Sequence, residues 1–278
     1  MNKIKLYFDY LRGDTLVSAL AKAAAYQRQG LTTCLAYLPV AKQDWAGVAQ
    51  EIALYREALD ALAQSGLACE ITVKPKQFGL ATNYAWAKRA ISEIAAQAQP
   101  LRHNLIWIDM EMPELVAPTL QLFEELRPRY TNIAICLQSY LSRTAADLQR
   151  LSRYDNPVRL VKGFYKAKDF RNWSAVTANF ARLLAGFSPN CRRAAIATHD
   201  EALIAYAKKL IRQKKIANAE FQFFAGLRDD LARALVAEGF AVRLYLPFGP
   251  VWPYIRDGVA TFDKWRYLQR VLGVKELR

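Results

Sequence analysis

Ile133-Ala-Ile-Cys-Leu-Gln138 is apolar at every position but its last. A strand of that character is covered on both faces, as in a parallel sheet packed on helices. Working outward from it, seven further runs share the pattern: Thr33–Leu38, Ile71–Lys74, Leu105–Asp109, Val158–Lys162, Ala194–His199, Glu220–Phe224 and Ala241–Tyr245. Each is followed by a loop and a stretch with helical periodicity. Eight strand–helix units are what a closed α/β barrel of the (β/α)8 TIM type requires. An open doubly wound sheet would want a glycine-rich turn after its first strand. No Gly-x-Gly-x-x-Gly occurs, and the count of eight favours closure.

The helices carry their own punctuation. The first is expected from about Asp14 to Gln29, with Asp14 or Thr15 as its cap and Gly30 as its stop. A long helix follows from Asp44 to Gln64, ending at Ser65-Gly66, and another from Asn83 to Ala98. Pro113 starts the next, which stops before Pro128. Thr144 is expected to cap its successor, Asn172 to Gly186 reads as helix, and Asp200 can cap the one after it.

At 278 residues the chain is the size of one such barrel, so residues 1–278 are expected to form a single domain with a short lead and a helical tail. No apolar run reaches membrane-spanning length, and the first residues lack the apolar core of a signal peptide. The cysteines are Cys34, Cys69, Cys136 and Cys191, with no Cys-x-x-Cys pair, which reads as free thiols in a reducing cytoplasm. Two distant histidines and scattered cysteines argue against zinc or any other metal. The net charge of +14 implies an anionic partner. Lys208-Lys209, Arg212 and Lys214-Lys215 read as a solvated helix face, and no nucleic-acid-binding motif is present.

In a (β/α)8 barrel the carboxyl ends of the strands build the active site. Here those ends carry Lys74, Asp109, Gln138, Arg159, Lys162, Thr198, His199, Gln222 and Tyr245. Arg159 lies within a strand, where a lone charge is costly to bury. Arg159 and Lys162 are read either as ligand-binding or as members of a structural ion pair. Thr198 and His199 precede a helix, whose amino terminus attracts phosphate. Lys74 and Asp109 end neighbouring strands, so their side chains can meet.

Six segments in order give these positions a context: Ile108-Asp-Met-Glu, Leu137-Gln-Ser-Tyr-Leu, Val158-Arg-Leu-Val-Lys-Gly-Phe-Tyr, Ile196-Ala-Thr-His-Asp, Glu220-Phe-Gln-Phe-Phe-Ala-Gly-Leu-Arg and Val242-Arg-Leu-Tyr-Leu-Pro-Phe-Gly. With them the chain resembles the proline dehydrogenase family of flavin-dependent barrels from about Gly13 to Gly249. The resemblance implies FAD as cofactor. It assigns Arg159 to the flavin's reactive nitrogen, Gln138 to the ring, and Lys162 with Gly163 to the ribityl or phosphate oxygens. Thr198 and His199 would meet the pyrophosphate or adenylate half, and Gln222 a further cofactor-side position. Lys74, Asp109, Tyr165, Tyr245 and Arg256 fall on the substrate side. Glu220 is read as structural.

The chain also departs from the family. An adjacent Arg-Arg pair clamps the substrate carboxylate there, whereas this chain has Arg256 followed by Asp257. Leu38-Pro-Val stands where the family tends to Leu-Gly-Glu, and Lys166-Ala-Lys follows Tyr165 where an acid is usual. These departures cluster on the substrate side. The expected activity is oxidation of a C–N bond of proline, or of a related cyclic or secondary amine, to an imine by hydride transfer to flavin. Electrons would pass to a quinone or another acceptor, and the positive charge would favour peripheral contact with an anionic membrane at its inner face. Two alternatives stand beside this: a flavoenzyme similar to methylenetetrahydrofolate reductase, and a barrel that has lost catalysis and keeps only ligand binding.

Overall fold

The computed structural model describes residues 15–249, apart from 39–41, 43, 164, 166–168, 171, 188–190, 214 and 217. The strands are hydrogen-bonded in sequence order into a closed barrel. They are β1 (Thr32–Tyr37), β2 (Cys69–Val73), β3 (Ile106–Ile108), β4 (Ile133–Gln138), β5 (Val158–Val161), β6 (Ala194–Ala197), β7 (Ala219–Phe224) and β8 (Ala241–Phe248). The (β/α)8 architecture follows, with helices α1 (Leu16–Gln27), α2 (Trp45–Ser65), α3 (Tyr84–Ala98), α4 (Val116–Leu126), α5 (Thr144–Leu151), α6 (Trp173–Ala185), α7 (Glu201–Arg212) and α8 (Asp229–Ala237). None of these helices is long and apolar enough to cross a membrane.

The capping residues do what their chemistry suggests. Thr15 accepts from the Ser18 amide at the start of α1. Asp44 caps α2, Asn83 caps α3, Asn172 caps α6 and Asp200 caps α7. Gly66 closes α2 with φ +63°, a left-handed turn that glycine enters at little cost. Thr144 differs from expectation. It is the first helical residue of α5, and its hydroxyl donates to the Gln138 carbonyl at 2.5 Å. The β4 terminus competes for the hydroxyl and wins, so Arg143 fills the cap position without a side-chain bond.

The described residues fall into two compact units, 15–133 with 244–249, and 134–243. In the first, β1, β2 and β3 pair in parallel, with Thr33 opposite Cys69 and Val73 opposite Ile108. Leu35, Ile71, Phe78, Trp107 and Phe123 fill its core. In the second, β4 to β7 pair in parallel, with Cys136 opposite Arg159 and Ala197 opposite Gln222. Phe180 and Phe221 are fully buried there, and Phe221 meets Phe240 edge-on at 5.5 Å. Cys34, Cys69, Cys136 and Cys191 are buried, and none is in a disulfide.

Candidate active site

Alternation along a strand places every second side chain on the face away from the helices. In the first unit that face carries Glu70, Thr72 and then Lys74 on β2 and just beyond it. Trp107 and Asp109 follow the same rule on β3, and Tyr245 on β8. Because Val73 pairs with Ile108, the residues after them emerge as neighbours. Lys74 Nζ donates to Asp109 Oδ2 at 3.0 Å and to the Tyr245 hydroxyl at 2.6 Å. The Tyr245 hydroxyl in turn donates to Asp109 Oδ2 at 3.1 Å. The lysine and aspartate side chains are only 7% and 15% exposed, so each compensates the other's charge.

This triangle stands on a polar layer that sequence reasoning did not single out. Trp107 Nε1 donates to the buried Glu70 carboxylate at 2.6 Å, and Cys34 Sγ lies 2.9 Å from Thr72 Oγ1. The Tyr55 hydroxyl sits 3.2 Å from both the Thr72 carbonyl and Gln77 Oε1. An acid within an otherwise apolar strand was the available signal for Glu70. The triangle presents a positive and a negative charge side by side, which suits a zwitterionic amine.

In the second unit the equivalent face carries Gln138, Arg159, Glu220, Gln222 and Arg243, all buried. Arg159 Nε donates to Gln222 Oε1 at 2.6 Å, and Gln222 Nε2 donates to Glu220 Oε1 at 2.6 Å. Arg243 Nε donates to the same Glu220 oxygen at 3.0 Å, and Arg193 approaches the other at 3.7 Å. Burial works to raise the Glu220 carboxyl, but the Arg243 and Arg193 charges outweigh it and hold it below the ordinary value. Arg159 and Lys162 do not form one ion pair. Lys162 Nζ instead donates to Asp200 Oδ2 at 2.7 Å and Thr177 Oγ1 at 2.8 Å.

Asp200 does a second job. Its other oxygen accepts from the Ala202 and Leu203 amides, so the donors that the start of α7 would offer a phosphate are taken. Thr198 Oγ1 accepts from the Asp200 amide at 3.2 Å. His199 Nε2 accepts from the Phe224 amide at 3.2 Å, and its ring stacks on Phe224. Burial, helped by the Arg228 charge, pushes the imidazole down to about 4. It is therefore neutral at pH 7, with Nδ1 as the nitrogen left to carry the proton.

Gly163 has φ +87°, and a Cβ there would lie 2.2 Å from the Tyr140 ring. The chain needs glycine at that position to pass the ring. Tyr165 is buried beside this turn in sequence. Arg256 and Asp257 lie outside the described residues, as do Pro39, Val40 and Lys166 to Lys168.

The second unit's donor set fits a flavin. Among the described residues, two buried guanidinium groups, Arg159 and Arg243, and the amides of Gln138 and Gln222 share that face with one buried carboxylate, Glu220. A ring that accepts hydrogen bonds and gains negative charge on reduction is the complement of such a surface.

A family model described as proline dehydrogenase matches residues 19–256. Proline dehydrogenase 2 of Bacillus subtilis (strain 168) is 32% identical over 202 residues, covering 70% of this chain and 66% of that protein. Proline dehydrogenase 1 of the same strain is 29% identical over 254 residues, covering 87% of this chain and 82% of that protein. Among solved structures, proline utilization A from Bdellovibrio bacteriovorus superposes with a TM-score of 0.77 at 20% identity. The match covers 94% of this chain and 32% of that one, and at such identity it speaks for the fold. The chain thus spans about a third of that structure's length and just under two thirds of proline dehydrogenase 2.

Proposed function

Because the chain belongs to the proline dehydrogenase family, we propose that it oxidises the C–N bond of proline, or of a closely related cyclic or secondary amine, to an imine. The observation that carries this is the partly buried Lys74–Asp109–Tyr245 triangle. A lysine held at 3.0 Å from a carboxylate has a fixed place from which to attract a substrate carboxylate. Asp109 beside it attracts the amine end, and Tyr245 supplies ring surface.

When bound, FAD supplies the two-electron hydride acceptor. Arg159, Gln138 and Gln222 would hold its ring, Lys162 the ribityl or phosphate oxygens, and Thr198 with His199 the pyrophosphate or adenylate half. Gly163 would let the backbone turn close to that ligand. The substrate amine gives up a hydride from the carbon next to nitrogen and a proton from nitrogen to water, and the C=N bond forms from the electron pair left behind. The electrons then leave to a quinone or another acceptor. The charge of +14 supports loose contact with an anionic lipid surface.

Asp257 beside Arg256, where the family has a second arginine, leaves Lys74 with less help in holding a substrate carboxylate and opens an altered-substrate reading, in which a related amine with a derivatised or absent carboxylate is preferred. One lost charge-assisted hydrogen bond weakens carboxylate binding by about 1.5–3 kcal/mol. Turnover with a dye acceptor across proline, hydroxyproline, pipecolate and pyrrolidine tests both levels. Oxidation of any of them by a yellow, flavin-loaded protein is expected. Proline outperforming the uncharged amines would overturn the altered-substrate reading, and a colourless protein that takes up no flavin would overturn the oxidase chemistry.

A further inference from the structure

Lys162 is held from three sides in the second unit. Its ammonium donates to Asp200 Oδ2 at 2.7 Å and to Thr177 Oγ1 at 2.8 Å, and it lies 5.4 Å from the centre of the Trp173 ring. The Lys162 and Asp200 side chains are 14% and 29% exposed, so salt and water screen the pair only in part. Both oxygens of Asp200 are engaged. Oδ1 accepts from the Ala202 and Leu203 amides at 3.1 and 3.2 Å, while Oδ2 meets the lysine. One carboxylate thus takes up both the cation and the helix-start amides with which a phosphate would pair.

We propose that Asp200 restrains cofactor binding: its carboxylate competes with the phosphates of FAD for Lys162 and the start of α7, and so limits how tightly the chain holds that half of the cofactor. The inference rests on the flavin reading above, which gives Lys162 to those oxygens and gives Asp200 no role. A phosphate drawn to Lys162 meets a carboxylate already 2.7 Å from the same nitrogen. Attraction to the lysine is then opposed by repulsion from the aspartate, and the pair presents little net field. An asparagine at residue 200 separates the two duties. Asn caps a helix as well as Asp does, so its oxygen can keep the Ala202 and Leu203 amides. Whichever way its amide turns, the charge that opposes a phosphate is gone, and Lys162 keeps its own.

The test is flavin affinity in wild type, Asp200→Asn and Asp200→Ser. Kd is read from the rise in flavin fluorescence on serial dilution of protein loaded with FAD, or with riboflavin, which lacks phosphate. FAD should bind Asp200→Asn about tenfold more tightly, the size of one charge-assisted hydrogen bond. Riboflavin affinity should not move. Asp200→Ser, whose hydroxyl also caps a helix, should shift FAD in the same direction, and it decides the matter if the asparagine variant does not fold. Unchanged or weaker FAD binding in a folded variant overturns the inference, because Asp200 would then be only a cap, or a residue that positions Lys162 for the ligand. Riboflavin gaining as much as FAD overturns it too, since the effect would not lie at the phosphates. A wild-type protein that binds no flavin defeats the flavin reading itself, and this inference with it, which is a distinct outcome.

Discussion

At the scale of the residue, the triangle around Lys74 sets the first expectation. Lys74→Met leaves Asp109 buried without its cation, and breaking such a pair costs about 3–5 kcal/mol. We expect kcat/KM for the amine substrate to fall at least a hundredfold in steady-state assays. Tyr245→Phe keeps the Lys74–Asp109 pair and removes one phenol, worth about 1 kcal/mol, so its loss should stay near tenfold or less. Equal losses in the two variants would show that the ion pair is not what the site depends on.

His199 makes a second residue-scale prediction. Its folded-state value is about 4, below the ordinary 6.5. Between those values the unfolded chain takes a proton that the folded chain refuses, so stability falls as pH drops from about 6.5 toward 4 and is flat above 7. The full shift corresponds to at most about 3.4 kcal/mol. His199→Asn should flatten this slope in denaturant unfolding measured from pH 4.5 to 7.5.

At the scale of the element, Gly163 and Tyr140 lock the exit of β5 against the exit of β4. A Cβ at residue 163 would need a left-handed backbone and would strike the ring at 2.2 Å. Gly163→Ala should destabilise by about 2 kcal/mol or more in chemical denaturation, and adding Tyr140→Ala should recover part of it. Elements were also what the sequence showed best. Asp44, Asn83, Asn172 and Asp200 cap helices as their residue types suggest, because a cap is a local event within four residues. Thr144 misled because its real partner, the Gln138 carbonyl, belongs to the preceding strand end. The Glu220–Gln222–Arg159 line was hidden for the same reason: its bonds cross from β7 to β5, and only register reveals them. Arg243 could have been found. Like Arg159, it is a charge set in an apolar strand, and that pattern alone asks for a buried partner.

At the scale of the whole molecule, charge is the feature to test. A net +14 should draw the protein to vesicles containing anionic phospholipid. Co-sedimentation should be clear at low ionic strength and lost at about 1 M salt, where the Debye length is about 3 Å. No binding to anionic vesicles would remove the membrane as a partner, and salt-independent binding would remove charge as its cause. The eight-fold repeat was readable from the apolar runs. The charge total was too, but composition says nothing of where charges lie, and Lys208 and Arg212 turn out to share Glu238.

The sealed thiols make the protein its own opening sensor. Cys34 and Cys69 belong to one compact unit, Cys136 and Cys191 to the other. An alkylating reagent can reach a sulfur only when the surrounding packing comes apart, so mass spectrometry of labelled peptides over time would clock each half's breathing separately, with no engineered probe.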